Sequence, residues 1–116
     1  MIQTLPESNN LELLLWLCRR RKRFRVTGLS MFPLLKPDEE VLVNYSAYEK
    51  SLPQVGDVVI ADHPERDHFK LIKRIVKIND NLYFLQGDHE DLSTDSRHFG
   101  AVSLSLILGK VTCRFP

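Results

Sequence analysis

Phe69-Lys70-Leu71-Ile72-Lys73-Arg74-Ile75-Val76-Lys77-Ile78, then Asn79-Asp80-Asn81, then Leu82-Tyr83-Phe84-Leu85, is the stretch that decides the fold. The first run alternates poorly but is rich in β-branched residues, which predicts a long strand. The three polar residues predict a tight turn, and the last four a returning strand. Upstream, Val55-Gly56-Asp57-Val58-Val59-Ile60-Ala61 predicts a turn followed by a buried strand, with a hairpin tip at 62–67 around Pro64. Val41-Leu42-Val43 is another strand, and Phe24 and Val26 open one before it. Pro33 and Pro37 break helical continuity, 37–40 form a turn, and 44–54 are a polar connection holding Tyr45 and Tyr48. Downstream, 87–100 is a long polar loop, of a length that in small domains tends to be functional. Leu106-Ile107-Leu108-Gly109-Lys110-Val111 closes the sheet. The class is mostly β, with one N-terminal helix.

That helix is marked by Leu11, Leu14, Leu15 and Cys18 at helical spacing, with Leu13, Trp16 and Leu17 filling in. Ser8, Asn9 or Asn10 is placed to cap it, with Glu12 in its first turn. The expectation is a terminal helix packed on the core, its solvated C-terminal end formed by Arg19-Arg20-Arg21-Lys22-Arg23 and Arg25. A weak peripheral contact with anionic lipid or an acidic partner is the other reading of that basic end. The division is 1–23, helix and basic segment, and 24–116, the β-rich body.

A chain of 116 residues is about one domain. Apolar residues at 43% and charged at 27% make it an ordinary globular sequence rather than a disordered one. A net charge of +1 gives no whole-protein field for nucleic acid, so no nucleic-acid partner is expected. Cys18 and Cys113 lie in no metal-ligand spacing and form no disulfide framework, which favours free thiols in a reducing compartment and implies neither metal nor cofactor. The apolar run at 13–18 is far short of the ~20 residues a bilayer span needs. Its charges follow rather than precede it, so neither signal peptide nor anchor is read. The expected location is the cytoplasm.

Val26-Thr27-Gly28-Leu29-Ser30-Met31-Phe32-Pro33 sets one serine in an otherwise apolar, glycine and proline run. A serine nucleophile needs a base. His63 and His68 lie around the hairpin tip; His89 and His98 flank the long loop. A Ser-His-Asp arrangement through Asp95 stays open at this point, although the GxSxG elbow is absent. Lysine also serves as a base if its amine is neutral, and burial lowers a lysine pKa from about 10.4. Lys73, between Leu71, Ile72 and Ile75, has that setting. Lys70, Arg74 and Lys77 are expected to face water or pair with acids.

The pattern V-x-G-x-S-M-x-P at 26–33 resembles the nucleophile box of type I signal peptidases. Lys73-Arg74-Ile75 resembles their base box, and Gly56-Asp57-Val58-Val59 the structural box between. Gly87-Asp88 followed by Ser93-Thr94-Asp95-Ser96-Arg97-His98-Phe99-Gly100-Ala101-Val102 resembles their last box. The resemblance implies a signal peptidase/LexA-like β-ribbon core and a serine endopeptidase with a Ser/Lys dyad acting on a peptide substrate. Ser30 is then the nucleophile, with its backbone N–H serving the oxyanion, and Lys73 the base. Ser93 orients the lysine, and Asp95 and Arg97 brace the loop. Gly28 stands where some members carry a hydroxyl for the oxyanion. Asp38-Glu39 replaces the usual Gly-Asp turn, which an aspartate tolerant of left-handed backbone accommodates.

The short connection from Lys73 to Gly87 and the lack of an anchor most resemble the branch that matures nickel-type superoxide dismutase, implying removal of an N-terminal propeptide. Three rivals remain: a signal peptidase I-like enzyme cleaving exported preproteins, a self-cleaving repressor of the LexA type, and a degenerate fold kept for binding. Residues 1–24 are too short for the DNA-binding region of such repressors, and their last box lacks the S-x-D-S-R signature.

Overall fold

The computed structural model describes residues 5–6, 9–17, 20–26, 31, 34–35, 38–88 and 96–115, the side chain of His98 excepted. They form a helix α1 (Asn10–Leu17), strands β1 (Lys22–Arg25), β2 (Glu40–Asn44), β3 (Val58–Asp62), β4 (Lys70–Asn79) and β5 (Leu82–Gln86), a short helix α2 (Ser96–Phe99), then β6 (Val102–Ser103) and β7 (Ile107–Phe115). The strands make one antiparallel sheet in the order β1-β2-β7-β3-β4-β5-β6. The mostly β expectation holds.

β3 is the middle of that sheet. Its four residues from Val58 to Ala61 are all buried. Successive side chains point to opposite faces. Val58 and Ile60 therefore join one core cluster with Val26, Met31, Leu34, Leu35, Val41, Val43, Ile72 and Val111. Val59 and Ala61 join the other, with Ile75, Tyr83, Leu85, Val102 and Ile107. An unbroken apolar run fits a strand covered on both faces.

The β4–β5 turn has left-handed φ at both Asp80 (51°) and Asn81 (63°), the geometry a two-residue hairpin loop uses and that Asn and Asp tolerate. Asp38 is also left-handed (φ 67°), as expected for the aspartate replacing glycine there. Gly109 is needed for space: a Cβ on it would meet the Asn44 carbonyl oxygen at 2.8 Å and Val43 Cγ1 at 2.9 Å.

Asn9 caps α1, its Oδ1 accepting from the Glu12 N–H at 2.8 Å. Two expectations fail here. α1 buries no residue, and Leu11, Leu14 and Leu17 are exposed. Its contacts with the body include the edge-on packing of Trp16 against Phe115, centroids 5.0 Å apart, the Arg23 guanidinium 5.7 Å from the centre of the Trp16 ring, and the Arg21–Glu12 pair at 2.8 Å. Nor does the basic run end the helix. Lys22–Arg25 are strand β1, drawn into the sheet by pairing with β2, where Arg23 and Arg25 reach Glu40. The 87–100 segment, expected as loop throughout, contains α2. Cys113 is a buried free thiol whose pKa burial raises; Cys18 lies outside the described residues. Among the described residues no helix is long and apolar enough to cross a membrane.

Candidate active site

The site is built around β4. Gly56 takes a left-handed φ of 98° and brings its N–H to the Ile75 carbonyl at 2.8 Å, while the Ile75 N–H donates to the Asp57 carbonyl at 2.8 Å. The Asp57 carboxylate accepts from the Tyr48 hydroxyl at 2.8 Å and the Gln54 N–H at 3.1 Å, and lies 3.6 Å from Lys110 Nζ. Burial, then the bond to Asp57, pushes the Tyr48 phenol pKa up. The Gly56-Asp57 turn thus pins the centre of β4 from the side.

Lys73 sits on the pinned strand at 3% exposure, the one buried charged side chain among the described residues. Val59 is its cross-strand partner, and Ile72 and Ile75 are buried beside it. Lys73 is not without a partner there. Its neighbours on the strand behave as expected: Lys70 is exposed and pairs with Asp62 at 3.4 Å, and Lys77 lies over the Phe84 ring at 5.4 Å.

Arg74 pairs with an acid, as expected, but in doing so ties the motifs together, a role the sequence reading missed. Its guanidinium donates from Nε and Nη2 to both oxygens of Asp88, each at 2.9 Å, and from Nη1 to the Gly56 carbonyl at 3.2 Å. The side chains are 14% and 8% exposed, so the pair is largely desolvated. The bond to Asp88 raises the Arg74 pKa, against burial, which lowers it. The available signal was two opposite charges adjoining two motif residues, Lys73 and Gly87.

The far end of the 87–100 segment is fixed as well. Ser96 Oγ accepts from the Leu85 N–H at 2.8 Å, and Phe99 packs on the second cluster. Both attachments, Asp88 to Arg74 and Ser96 to Leu85, are to the β4–β5 hairpin that carries Lys73. Arg97 lies exposed on α2 with a contact of its own. Ser93 and Asp95 lie outside the described residues.

Ser30 also lies outside them, as do Thr27, Gly28, Leu29, Phe32 and Pro33. On either side of it in sequence, Val26 and Met31 are buried in the cluster that contains Ile72, the residue before Lys73. Val26 exchanges backbone bonds with the chain beyond: its N–H donates to Glu39 at 2.7 Å, and its carbonyl accepts from Asp38 at 2.9 Å.

Of the histidines, His63 holds Nδ1 against the Glu65 N–H at 3.0 Å, with its ring beside Phe69 and Phe99. His68 is exposed at the hairpin tip. His89 and the His98 side chain are outside the described residues. Among the described residues no cluster of three His, Cys, Asp or Glu is placed to hold a metal.

The described part of the site is therefore a buried lysine on a strand held by the Gly56-Asp57 turn and by Arg74. The chain belongs to the signal peptidase family, peptidase S26, whose model matches residues 13–78 and 76–115. Among curated proteins it is 34% identical to mitochondrial inner membrane protease subunit 2 of Danio rerio, over 76% of this chain and 60% of that one. It is 31% identical to mitochondrial ATP-independent inner membrane protease subunit 1b of Arabidopsis thaliana, over 75% of this chain and 65% of that one. It thus spans under two thirds of the length of these relatives.

Peptidase membership agrees with the enzyme class read from the sequence. The cytoplasmic location does not stand, because these relatives are mitochondrial inner membrane proteases. That expectation was drawn from the shortness of the apolar run at 13–18, which by itself fixes no location. The relatives also favour the signal-peptidase alternative over a superoxide dismutase maturation enzyme.

Proposed function

We propose that this chain is the catalytic body of a signal-peptidase-like serine endopeptidase that cuts N-terminal presequences from precursor proteins at a membrane. The observation that carries this is the burial of Lys73, at 3% exposure, at the base-box position of an S26 chain. A lysine base must keep its amine neutral, and an interior without water disfavours the ammonium form.

Ser30 Oγ attacks the scissile carbonyl carbon while Lys73 Nζ takes the hydroxyl proton. The Ser30 backbone N–H supports the oxyanion. The C–N bond then breaks, and the leaving amine departs with the proton from Lys73. Water attacks the resulting acyl ester, losing a proton to Lys73, which returns it to Ser30 Oγ as the acid leaves. Ser93 holds the lysine amine in line. Asp95 and Arg97 brace the loop between the posts at Asp88 and Ser96.

The test uses purified full-length chain with two precursors: a presequence-bearing preprotein and a nickel superoxide dismutase precursor, the finer substrate the sequence suggested. Mass spectrometry reads the new N-termini. Cleavage of the preprotein is expected. Ser30→Ala and Lys73→Ala should each reduce it by at least about 10³-fold, and the double variant by little more. The rising limb of kcat/KM should lie above the ~6.5 of histidine and below the ~10.4 of free lysine. A folded Lys73→Ala that still cleaves substantially overturns the dyad. Cleavage of the dismutase precursor alone overturns the substrate reading and leaves the dyad intact.

A further inference from the structure

A cavity of about 590 Å³ opens beside α1, its lining of Leu15, Arg20, Arg21, Lys22, Asn44, Tyr45 and Ser46 sharing no residue with the four motifs. Arg21 is committed to Glu12 at 2.8 Å. Further along the basic run, Arg23 and Arg25 pair with Glu40. Arg20 and Lys22 have no carboxylate partner among the described residues, and Lys22 Nζ lies 5.3 Å from the centre of the Tyr45 ring. The cavity therefore presents two cations without a carboxylate partner among the described residues, beside a phenol and a serine hydroxyl, a donor set suited to a phosphodiester.

The helix that supplies Leu15 to this cavity leaves apolar side chains uncovered next to it. Leu11, Leu14 and Leu17 are 63%, 56% and 70% exposed, one turn apart along α1. A short helix that is apolar nearly all round is ordinarily buried or in contact with lipid. Here one side rests on the body through Trp16 and Phe115, and the other faces outward. Leucines beside unpaired cations are the combination that lies in an anionic membrane interface, the apolar groups at the acyl boundary and the cations at the headgroups.

We propose that α1 and the Arg20–Lys22 cavity form a docking surface for anionic phospholipid, with Leu11, Leu14 and Leu17 entering the interface and Arg20 and Lys22 holding a headgroup phosphate. The surface uses none of the residues assigned to peptide cleavage, so its test does not depend on that reading. Each basic residue near an anionic surface contributes about fivefold in affinity, and a leucine that leaves water for the interface about tenfold.

The experiment is flotation of the full chain with vesicles of phosphatidylcholine, with and without phosphatidylglycerol. The chain should float with the anionic vesicles and stay behind with the neutral ones. Arg20→Gln with Lys22→Gln should weaken binding roughly 25-fold. Leu11→Ser with Leu14→Ser should weaken it by at least about tenfold. Melting temperatures should be unchanged, because all four side chains are exposed. Raising salt on the unmodified protein reads the same electrostatic contact without any variant, and should release it. Failure to float with anionic vesicles, equal flotation with neutral ones, or wild-type behaviour of either double variant overturns the proposal. So does a dimer in lipid-free solution that the leucine variant abolishes, since a second copy would then cover α1.

Discussion

Helix α1 and strand β3 are about equally apolar in sequence and opposite in fate. Every residue from Val58 to Ala61 is buried, whereas α1 buries none of its eight. β3 has β4 on one side and β7 on the other, and a core cluster on each face. α1 meets the body mainly through one aromatic pair and one ion pair. Hydrophobicity creates the demand for burial, and the number of covered sides decides whether it is met. The leucines left uncovered on α1 are the surface proposed above to meet lipid.

The largest effect that sharpens this comparison belongs to the centre of β3. Ile60 is fully buried in the first cluster, against the Ile72 that precedes Lys73. Ile60→Ala should cost about 4 kcal/mol through lost transfer energy and the cavity left behind. Chemical denaturation reads it. A loss below about 1 kcal/mol would mean that the sheet centre is no better packed than α1.

Next is the Arg74–Asp88 pair. With Asp88 8% exposed, removing its partner strands a carboxylate in a mostly dry setting. Arg74→Ala should cost about 3 kcal/mol. Arg74→Met with Asp88→Leu should recover most of that stability, since replacing both charges avoids the orphan. Processing should not recover, because the apolar pair cannot reproduce the bond to the Gly56 carbonyl that sets β4. Recovery of both would reduce the pair to packing alone.

These two regions also differ in how legible they are in the sequence. β3 and the β4–β5 hairpin can be read because their signals are local: an apolar run, a glycine turn, and an Asp80-Asn81 pair that accepts left-handed backbone. The burial of Lys73 follows from its apolar neighbours by the same logic. The links around it are not local. Arg74 reaches Asp88 across 14 positions and Gly56 across 18, and Ser96 reaches Leu85 across 11. α2 and β6 have four and two residues, too short to show a period. The error over the cover of α1 has a plain source. An apolar helical pattern states which residues need cover, and only the tertiary contacts state whether they get it. The basic run misled for a related reason, since pairing with β2 outweighed the favourable charge–dipole placement at a helix end.

A smaller effect lies on the flank of β4, at Tyr48. Its hydroxyl donates to Asp57, and burial, followed by that bond, holds its pKa above the usual value. Tyr48→Phe should cost about 1 kcal/mol at neutral pH for the lost hydrogen bond. The phenol's folded pKa is raised, so its contribution is fully present below the unfolded value of about 10 and falls as pH rises past it. Stability of the wild type should therefore decline more steeply above pH ~10 than that of the variant, and melting curves across that range compare the two slopes. Identical slopes would mean that Tyr48 ionises in the folded protein as it does in the unfolded chain.

The smallest expected effect is at Leu14, and it bears most directly on the comparison. Leu14 is 56% exposed on α1, so truncating it removes little surface that folding had taken from water. Alanine is also the better helix former. Leu14→Ala should change stability by less than about 0.5 kcal/mol in lipid-free buffer, against the ~4 kcal/mol set for Ile60→Ala. The two measurements share a chemistry, loss of aliphatic carbons, and differ in cover alone. If Leu14→Ala instead destabilised the monomer by 2 kcal/mol or more, on the scale of a core truncation, α1 would be docked on the body in solution. The exposed leucines would then be core residues, and the surface offered to lipid would not exist. A null result on stability, together with weaker flotation on anionic vesicles, would assign the side chain to the interface rather than to the fold.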